Sequence, residues 1–500
     1  MQVYILLCFL GAVTCQQGRQ FPEGFLFGAS SSAYQYEGAW NEDGRGPSIW
    51  DVAIHNKQSV ITDRSTADIA TNLYHNYKND IKLMTEVGLD FFRFSISWSR
   101  ILPTGFANKI NQAGIDYYSN FIDELIKNDI TPFATIYHWD LPEKMQEMGG
   151  WTNPAIVDFF LDYAKIIFDN FGERVKFWVT INEPEPVCNN GYGTGIHAPF
   201  LNLSGIGEYM CAKNVLLAHA RTYELYQKKY KYQNGKIGIT LMSEWLEPYN
   251  SSAAEDRQAA YDMLLFNLGI FADPIFSKTG DFPQIVKKMV AEKSLKQGFP
   301  RSRLPTLSED EVELIRGSAD FMGLNIYSSN LVYRNESVRG MYPVPSFKDD
   351  AGVGITVARS WPRSNFERIQ FVPWGATKIL MKVKELYDNP TVYVTENGWP
   401  NNGGFDDEDR VHFLASYLNS IMEAVNRGCD VRGYSVWTLM DCFEWINGYT
   451  LKFGLYQVDY SSPNLTRTAR KSAEFYKNIT TTRYLLRDYD YNERDVVVNI

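Results

Sequence analysis

Val175-Lys-Phe-Trp-Val-Thr-Ile181 is a short run of β-branched and aromatic residues that leads directly into Asn182-Glu183-Pro184. Thr391-Val-Tyr-Val-Thr395 does the same and leads into Glu396-Asn397-Gly398. Apolar runs of this length read as strands buried on both faces. Six others punctuate the chain: Phe25-Leu-Phe27, Phe91-Phe-Arg-Phe-Ser-Ile-Ser97, Pro132-Phe-Ala-Thr-Ile-Tyr137, Lys236-Ile-Gly-Ile-Thr-Leu241, Phe321-Met-Gly-Leu-Asn-Ile326 and Tyr434-Ser-Val-Trp-Thr-Leu439. Amphipathic stretches lie between them. Over 68–87, Ile69, Leu73, Tyr77, Ile81 and Met84 recur at helical spacing, and 155–171, 209–230 and 409–425 behave similarly. Strand-helix alternation argues for a parallel sheet, and eight units over this length argue for a single-domain α/β fold, the closed (β/α)8 TIM barrel. An open doubly wound sheet would want a glycine-rich phosphate loop after its first strand, and Phe27-Gly-Ala-Ser-Ser-Ser32 does not supply one.

In such barrels chemistry gathers at the C-terminal strand ends. Taken in order, those ends carry Gln35 and Glu37, then Arg93, then His138 with Trp139 and Asp140, then Asn182 with Glu183. The fifth strand end carries no signal. Asn325 with Tyr327, Glu396 with Asn397, and Trp437 with Glu444 and Trp445 follow. This ring of amides, imidazole, carboxylates and indoles lacks the cation density of a phosphate pocket and the histidine clustering of a metal pocket. Two carboxylates delivered from two strand ends are what glycosidic-bond cleavage needs, one to donate a proton and one to act as nucleophile or base. A buried core has no use for two such charges.

The bulk composition is compatible. At 45% hydrophobic and 22% charged residues, the 500-residue chain reads as globular with a sizeable core. A net charge of −10 and the lack of a basic stretch argue against a nucleic-acid partner. Residues 1–15, an apolar run closed by small residues before Gln16-Gln17, read as a secretory signal peptide, leaving 16–500 as the barrel domain. No later stretch suggests a membrane span, so export as a soluble protein is expected, with homo-oligomer formation left open. Cys188 and Cys211 would close a short loop beside Glu183, with free buried thiols as the alternative, and Cys429 and Cys442 are the other cysteines beyond the leader. Sequons at Asn202, Asn250, Asn335, Asn464 and Asn478 are candidate N-glycosylation sites.

These residues carry a resemblance. Phe25-Leu-Phe-Gly-Ala29, Ala33-Tyr-Gln-Tyr-Glu37, Phe92-Arg-Phe-Ser-Ile-Ser-Trp-Ser-Arg100, Tyr137-His-Trp-Asp-Leu-Pro142, Asn182-Glu183-Pro184, Thr395-Glu396-Asn397-Gly398 and Phe443-Glu444-Trp445 are similar to the motifs of glycoside hydrolase family 1 β-glucosidases. The match runs over about 21–476, and its wording is most like that of secreted insect members, for which the gut lumen is a natural setting. The resemblance implies a retaining β-glycosidase with Glu183 as acid/base and Glu396 as nucleophile. It also implies a sugar subsite lined by Gln35, His138, Asn182, Asn325, Trp437, Glu444 and Trp445, with Trp374 at the entrance toward the leaving group. The chain departs from the usual wording at Cys442, Thr438 and Lys452, which bears on fine specificity and not on the reaction.

The chemistry can be argued from the residues themselves. Glu183 has to be protonated while Glu396 is ionised at the same pH. Arg93 and the Tyr327 hydroxyl are the groups expected to keep Glu396 ionised, and the charge of Glu396 should raise Glu183. Gln35 and Glu444 suit bidentate hydrogen bonding to vicinal hydroxyls; a carboxylate at Glu444 would repel a 6-phosphate, disfavouring phosphoglycosides. The chemistry needs no metal or organic cofactor, and the partner is a small glucoside or oligosaccharide. Two other functions compete: a thioglucosidase (myrosinase) acting on glucosinolates, and a catalytically silent glycan-binding relative. Glu183 favours the O-glycosidase, since a thiol-type leaving group needs no acid, and the presence of both glutamates argues against silence.

Overall fold

A computed structural model describes residues 19–336 and 347–485. The leader assigned to 1–15 lies outside the described residues. Eight parallel strands close into a barrel: β1 (Leu26–Ser30), β2 (Phe91–Ser95), β3 (Thr131–Tyr137), β4 (Phe177–Asn182), β5 (Lys236–Met242), β6 (Phe321–Asn325), β7 (Val392–Asn397) and β8 (Val431–Val436). Each is one of the eight runs that the sequence marks, and β8 pairs with β1 to complete the circle. The last run is shifted: its strand starts at Val431, so Trp437 falls just past the strand end.

Helices clothe the barrel, among them Ile156–Phe171, Gly207–Leu225 and Glu408–Asn426. The helix expected over 68–87 begins only at Leu73 and ends at Val87. Asp68 is instead bonded to His55 (2.8 Å), and Ala70 and Asn72 are in the left-handed region, so the first turn cannot form there. Ile69, expected on the apolar face, is consequently 62% exposed.

The N-terminal end of the barrel is plugged by rings. Phe133 lies within 5.2–5.9 Å, centroid to centroid, of Phe91, Phe177, Phe321 and Tyr393. Glycine on the intervening strands makes room: a Cβ on Gly28 would stand 2.5 Å from the Phe91 ring, and one on Gly238 2.5 Å from Phe321. Strand side chains on one face repeat every second residue, so Arg93 sits one layer above Phe91. The plug therefore fixes the depth at which the polar layer starts.

A small sheet flanks the other end, with Val353–Thr356 beside Ser329–Arg334 beside Trp245–Pro248. It is built from the chain that leaves β5 and β6. Cys188 and Cys211 form a disulfide (Cα–Cα 5.4 Å), which ties the segment after Glu183 to the helix Gly207–Leu225. Cys429 and Cys442 are free and buried.

Candidate active site

Both glutamates sit where strand register breaks. On β7 the pairing slips between Val394 and Glu396, and on β4 between Val179 and Asn182. A slip of this kind re-aims side chains. It is how Thr395 and Glu396, neighbours in sequence, both bond toward the centre: Thr395 Oγ1 donates to Asn325 Oδ1 and Glu396 accepts from Arg93.

Glu396 is held from two sides. Arg93 Nη1 donates to its Oε1 at 2.6 Å, and the Tyr327 hydroxyl donates to its Oε2 at 2.8 Å. Arg93 itself is fully buried, and its Nη2 donates to Asn182 Oδ1 at 2.6 Å. That bond orients the Asn182 amide, whose Nδ2 then donates to His138 Nε2 at 3.1 Å. With Nε2 accepting, the imidazole proton resides on Nδ1. Burial, aided by the Arg93 charge, holds the His138 pKa well below its ordinary value, so the ring is neutral. Glu183 accepts from Asn325 Nδ2 at 2.9 Å, a neutral donor.

Electrostatics separate the pair. Burial first, then the negative charge of Glu396, push Glu183 well above the ordinary carboxyl range. Burial also raises Glu396, but the Arg93 charge and the hydrogen bonds from Arg93, Tyr327 and Asn325 oppose it. The first proton lost on raising pH therefore comes from Glu396, leaving Glu183 as the acid. Burial keeps the Tyr327 hydroxyl protonated and able to donate.

A wall of polar and aromatic side chains stands next to this pair. Gln35, in the turn of helix after β1, donates through Nε2 to Glu444 Oε2 at 3.1 Å and to the Phe443 carbonyl at 2.8 Å. Burial and the Glu396 charge raise Glu444 to about 8. His138 stacks at about 6 Å between Trp437 and Trp445. Three residues here hold left-handed backbone: Glu183 (φ 48°), Trp139 (φ 76°) and Trp445 (φ 49°). For non-glycine residues this costs roughly 1–3 kcal/mol each, and such strain concentrates at functional sites.

A cavity of about 830 Å³ opens from Glu183 and Glu396. The structure brings Gln35, His138, Tyr327, Trp437, Glu444 and Trp445 to its wall, with Asn182, Asn325 and Arg93 bonded directly behind. Trp374 is a correction: it does not line the cavity. It opens the helix Trp374–Leu386, with one edge against Trp361 and Lys378 Nζ 4.5 Å above its ring, and Phe366 occupies the mouth instead. Glu185, Asn189, Glu244 and Arg368 also line the mouth and were not singled out from sequence. Glu244 lies two residues past β5, so that strand end did carry a signal after all.

Gly398 shows how tightly the loop after Glu396 is built. A Cβ there would lie 1.9 Å from the Trp437 carbonyl oxygen. Gly398→Ala is expected to destabilise by roughly 1–3 kcal/mol or more, read as a lowered Tm, and to cost activity by displacing both Glu396 and Trp437.

A closed (β/α)8 barrel with a buried acid beside an arginine-paired carboxylate defines a class, the glycosidases that work with two carboxyl groups. Comparison with known proteins makes it particular: the chain matches Glycosyl hydrolase family 1 over residues 17–484 and belongs to that family. It is 44% identical to "Myrosinase 1" of Brevicoryne brassicae over 93% of this chain and 99% of that one. It is 39% identical to "Cytosolic beta-glucosidase" of Homo sapiens over 92% and 97%. A solved rice β-glucosidase in a covalent complex with Glc superposes with a TM-score of 0.86 at 39% identity, covering 91% of this chain and 98% of that one. The protein is a retaining β-glycosidase, a hydrolase of glycosides.

Proposed function

We propose that the chain hydrolyses terminal non-reducing β-D-glucosyl residues, with Glu396 as nucleophile and Glu183 as acid and then base. The observation that carries the assignment is the asymmetry of partners: a buried arginine and a tyrosine hydroxyl bond Glu396, whereas a neutral amide bonds Glu183. A carboxylate oxygen of Glu396 attacks the anomeric carbon as its bond to the leaving oxygen breaks, and Glu183 gives that oxygen its proton. Ester formation removes the charge that raises Glu183, so its pKa falls and it can take a proton from water. That water attacks the anomeric carbon, the ester bond breaks, and Glu396 regains its carboxylate with overall retention. Gln35, His138, Trp437, Glu444 and Trp445 hold the sugar, Glu444 as hydrogen-bond donor and acceptor while it is protonated. Arg93 and Tyr327 position and ionise the nucleophile.

Glu183→Gln tests the acid role. Cleavage of cellobiose, whose leaving alcohol needs a proton, should fall about 10²–10⁴-fold, and p-nitrophenyl β-D-glucoside should lose less in its first step. Azide should then trap the glycosyl-enzyme and yield the β-glucosyl azide. Cellobiose turnover equal to wild type would remove Glu183 from the role.

The likeness to a protein named myrosinase favours a second reading, an S-glucosidase that retains its acid. In that case a glucosinolate would be turned over in preference to p-nitrophenyl β-D-glucoside by wild type. Secretion is proposed as well, on the leader over 1–15 and on the disulfide, which suits an oxidising compartment. Asn202, Asn250, Asn464 and Asn478 are exposed and Asn335 partly so, which leaves these five asparagines open to glycans. Enzymatic release of N-glycans from the exported protein would show the mass change.

A further inference from the structure

The 830 Å³ cavity is far larger than one sugar ring needs, and its outer half has its own chemistry. Glu183 has to face the leaving group to protonate it, so the segment that follows Glu183 borders the leaving group. That segment carries Glu185 and Asn189, and Asn189 Nδ2 donates to Glu185 Oε1 at 3.0 Å. The Asn189 Oδ1 is buried with no partner among the described residues. Across the mouth Glu244 accepts from Asn330 Nδ2 at 2.7 Å, with Asn330 on the small sheet. Asn190 and Asn267 complete a lining of amides and carboxylates.

Charge at the mouth is mixed but leans one way. Glu185, Glu244 and Glu367 face Arg368 and Lys348, three carboxylates against two cations. The two that are recessed are both acids, whereas Arg368, Lys348 and Glu367 are exposed at the rim. Glu185 stands two residues past Glu183 and its charge acts on Glu183, so an anionic leaving group within reach of Glu183 would meet a carboxylate there. Resting on the glucosidase function proposed above, we infer that Glu185 and Glu244 are specificity-determining residues that select a neutral, polyhydroxylated leaving group, a second sugar, and reject anionic ones. Amide-anchored carboxylates are strong acceptors for sugar hydroxyls, and the same charges oppose a sulfate or carboxylate at close range.

Protonation gives the selection a pH dependence. Burial raises both Glu185 and Glu244 to about 7, the charge of Arg368 opposing in each case. His197, which also lines the mouth, is held at about 3 by burial and Arg368 and stays neutral. As pH falls below 7 the two acids lose their charge and the cations at the rim are left to dominate. Glu183, Glu396 and Glu444 act on every substrate, so their titration cancels in a ratio of two substrates.

The experiment compares kcat/KM for phenyl β-D-glucoside, p-carboxyphenyl β-D-glucoside and cellobiose in wild type, Glu185→Gln, Glu244→Gln and Glu244→Ala. Relative to phenyl glucoside, the carboxyphenyl substrate should gain at least about tenfold in each Gln variant at pH 8, and cellobiose should lose at least about tenfold in Glu244→Ala. In wild type the carboxyphenyl-to-phenyl ratio should rise from pH 8 to pH 5.5 and with added KCl, measurements that need no variant to fold. Ratios flat within twofold across the variants, or a wild-type ratio that falls with salt, would overturn the proposal and assign the mouth to anion capture by Arg368 and Lys348. Absence of phenyl glucoside turnover by wild type would instead overturn the underlying glucosidase function.

Discussion

Glu396→Gln is expected to lower hydrolysis of p-nitrophenyl β-D-glucoside by about 10⁴-fold or more while leaving the barrel folded. An amide cannot form the glycosyl ester, and removing the group that makes the covalent intermediate costs on this scale. The geometry protects the fold: a glutamine carbonyl can still accept from Arg93 or Tyr327, which bond the two carboxylate oxygens at 2.6 and 2.8 Å. A second readout follows from the coupling. Loss of the Glu396 charge removes one of the causes that raise Glu183, so Glu183 should titrate at lower pH in the variant. Residual activity within tenfold of wild type would show that the nucleophile lies elsewhere. Glu396→Gly with azide distinguishes the two glutamates by stereochemistry, since attack by azide on the substrate gives the α-glucosyl azide, the opposite anomer from the Glu183 variant.

Arg93→Met has the next largest expected effect, and it shows in pH profiles. Arg93 is fully buried and is the cation bonded to Glu396. Without it, burial acts on Glu396 unopposed by that charge, and the acidic limb of kcat/KM should move up by about 1–3 pH units. The Arg93 charge also holds Glu183 down, but Glu396 loses both that charge and its hydrogen bond, so the upper limb moves up less, the bell narrows and its maximum falls, by about 10²-fold at pH 6. Stability moves with a definite sign. Removing one partner of a buried pair costs about 3–5 kcal/mol while the other stays charged. Glu396 in the variant binds its proton more tightly folded than unfolded, so the fold is best below the ordinary carboxyl pKa. Its deficit in Tm against wild type grows as pH rises through the raised value. A deficit independent of pH would make Arg93 a packing residue only.

The barrel was legible because a strand buried on both faces needs an unbroken apolar run, and a run is local. All eight became strands. Glu183 and Glu396 were legible for the same reason, since each stands at or directly past such a run. Contacts made far away in sequence were not. The late start at Leu73 depends on His55 holding Asp68. The family resemblance places Trp374 at the mouth, but Trp361 and Lys378 pack against it away from the cavity. Arg368 lies in the long excursion between β6 and the helix at Trp374, where no periodicity marks position, in a turn closed by the bridge between Arg363 and Gln370. Glu244 carries the same local signal as Glu183, a carboxylate just past an apolar strand.

The ring of phenylalanines and Tyr393 beneath Arg93 makes the barrel a vessel with a sealed floor. Among the described residues, traffic runs through one doorway, the mouth of the cavity. The departing alcohol has to clear the mouth before water can reach the glycosyl ester, and the freed sugar leaves last by the same route. Whatever hydroxyl-bearing molecule stands in that doorway during the wait competes with water for the sugar, so glycosyl transfer to an acceptor is expected to grow with acceptor concentration, and accumulated glucose is expected to slow the enzyme by occupying the mouth.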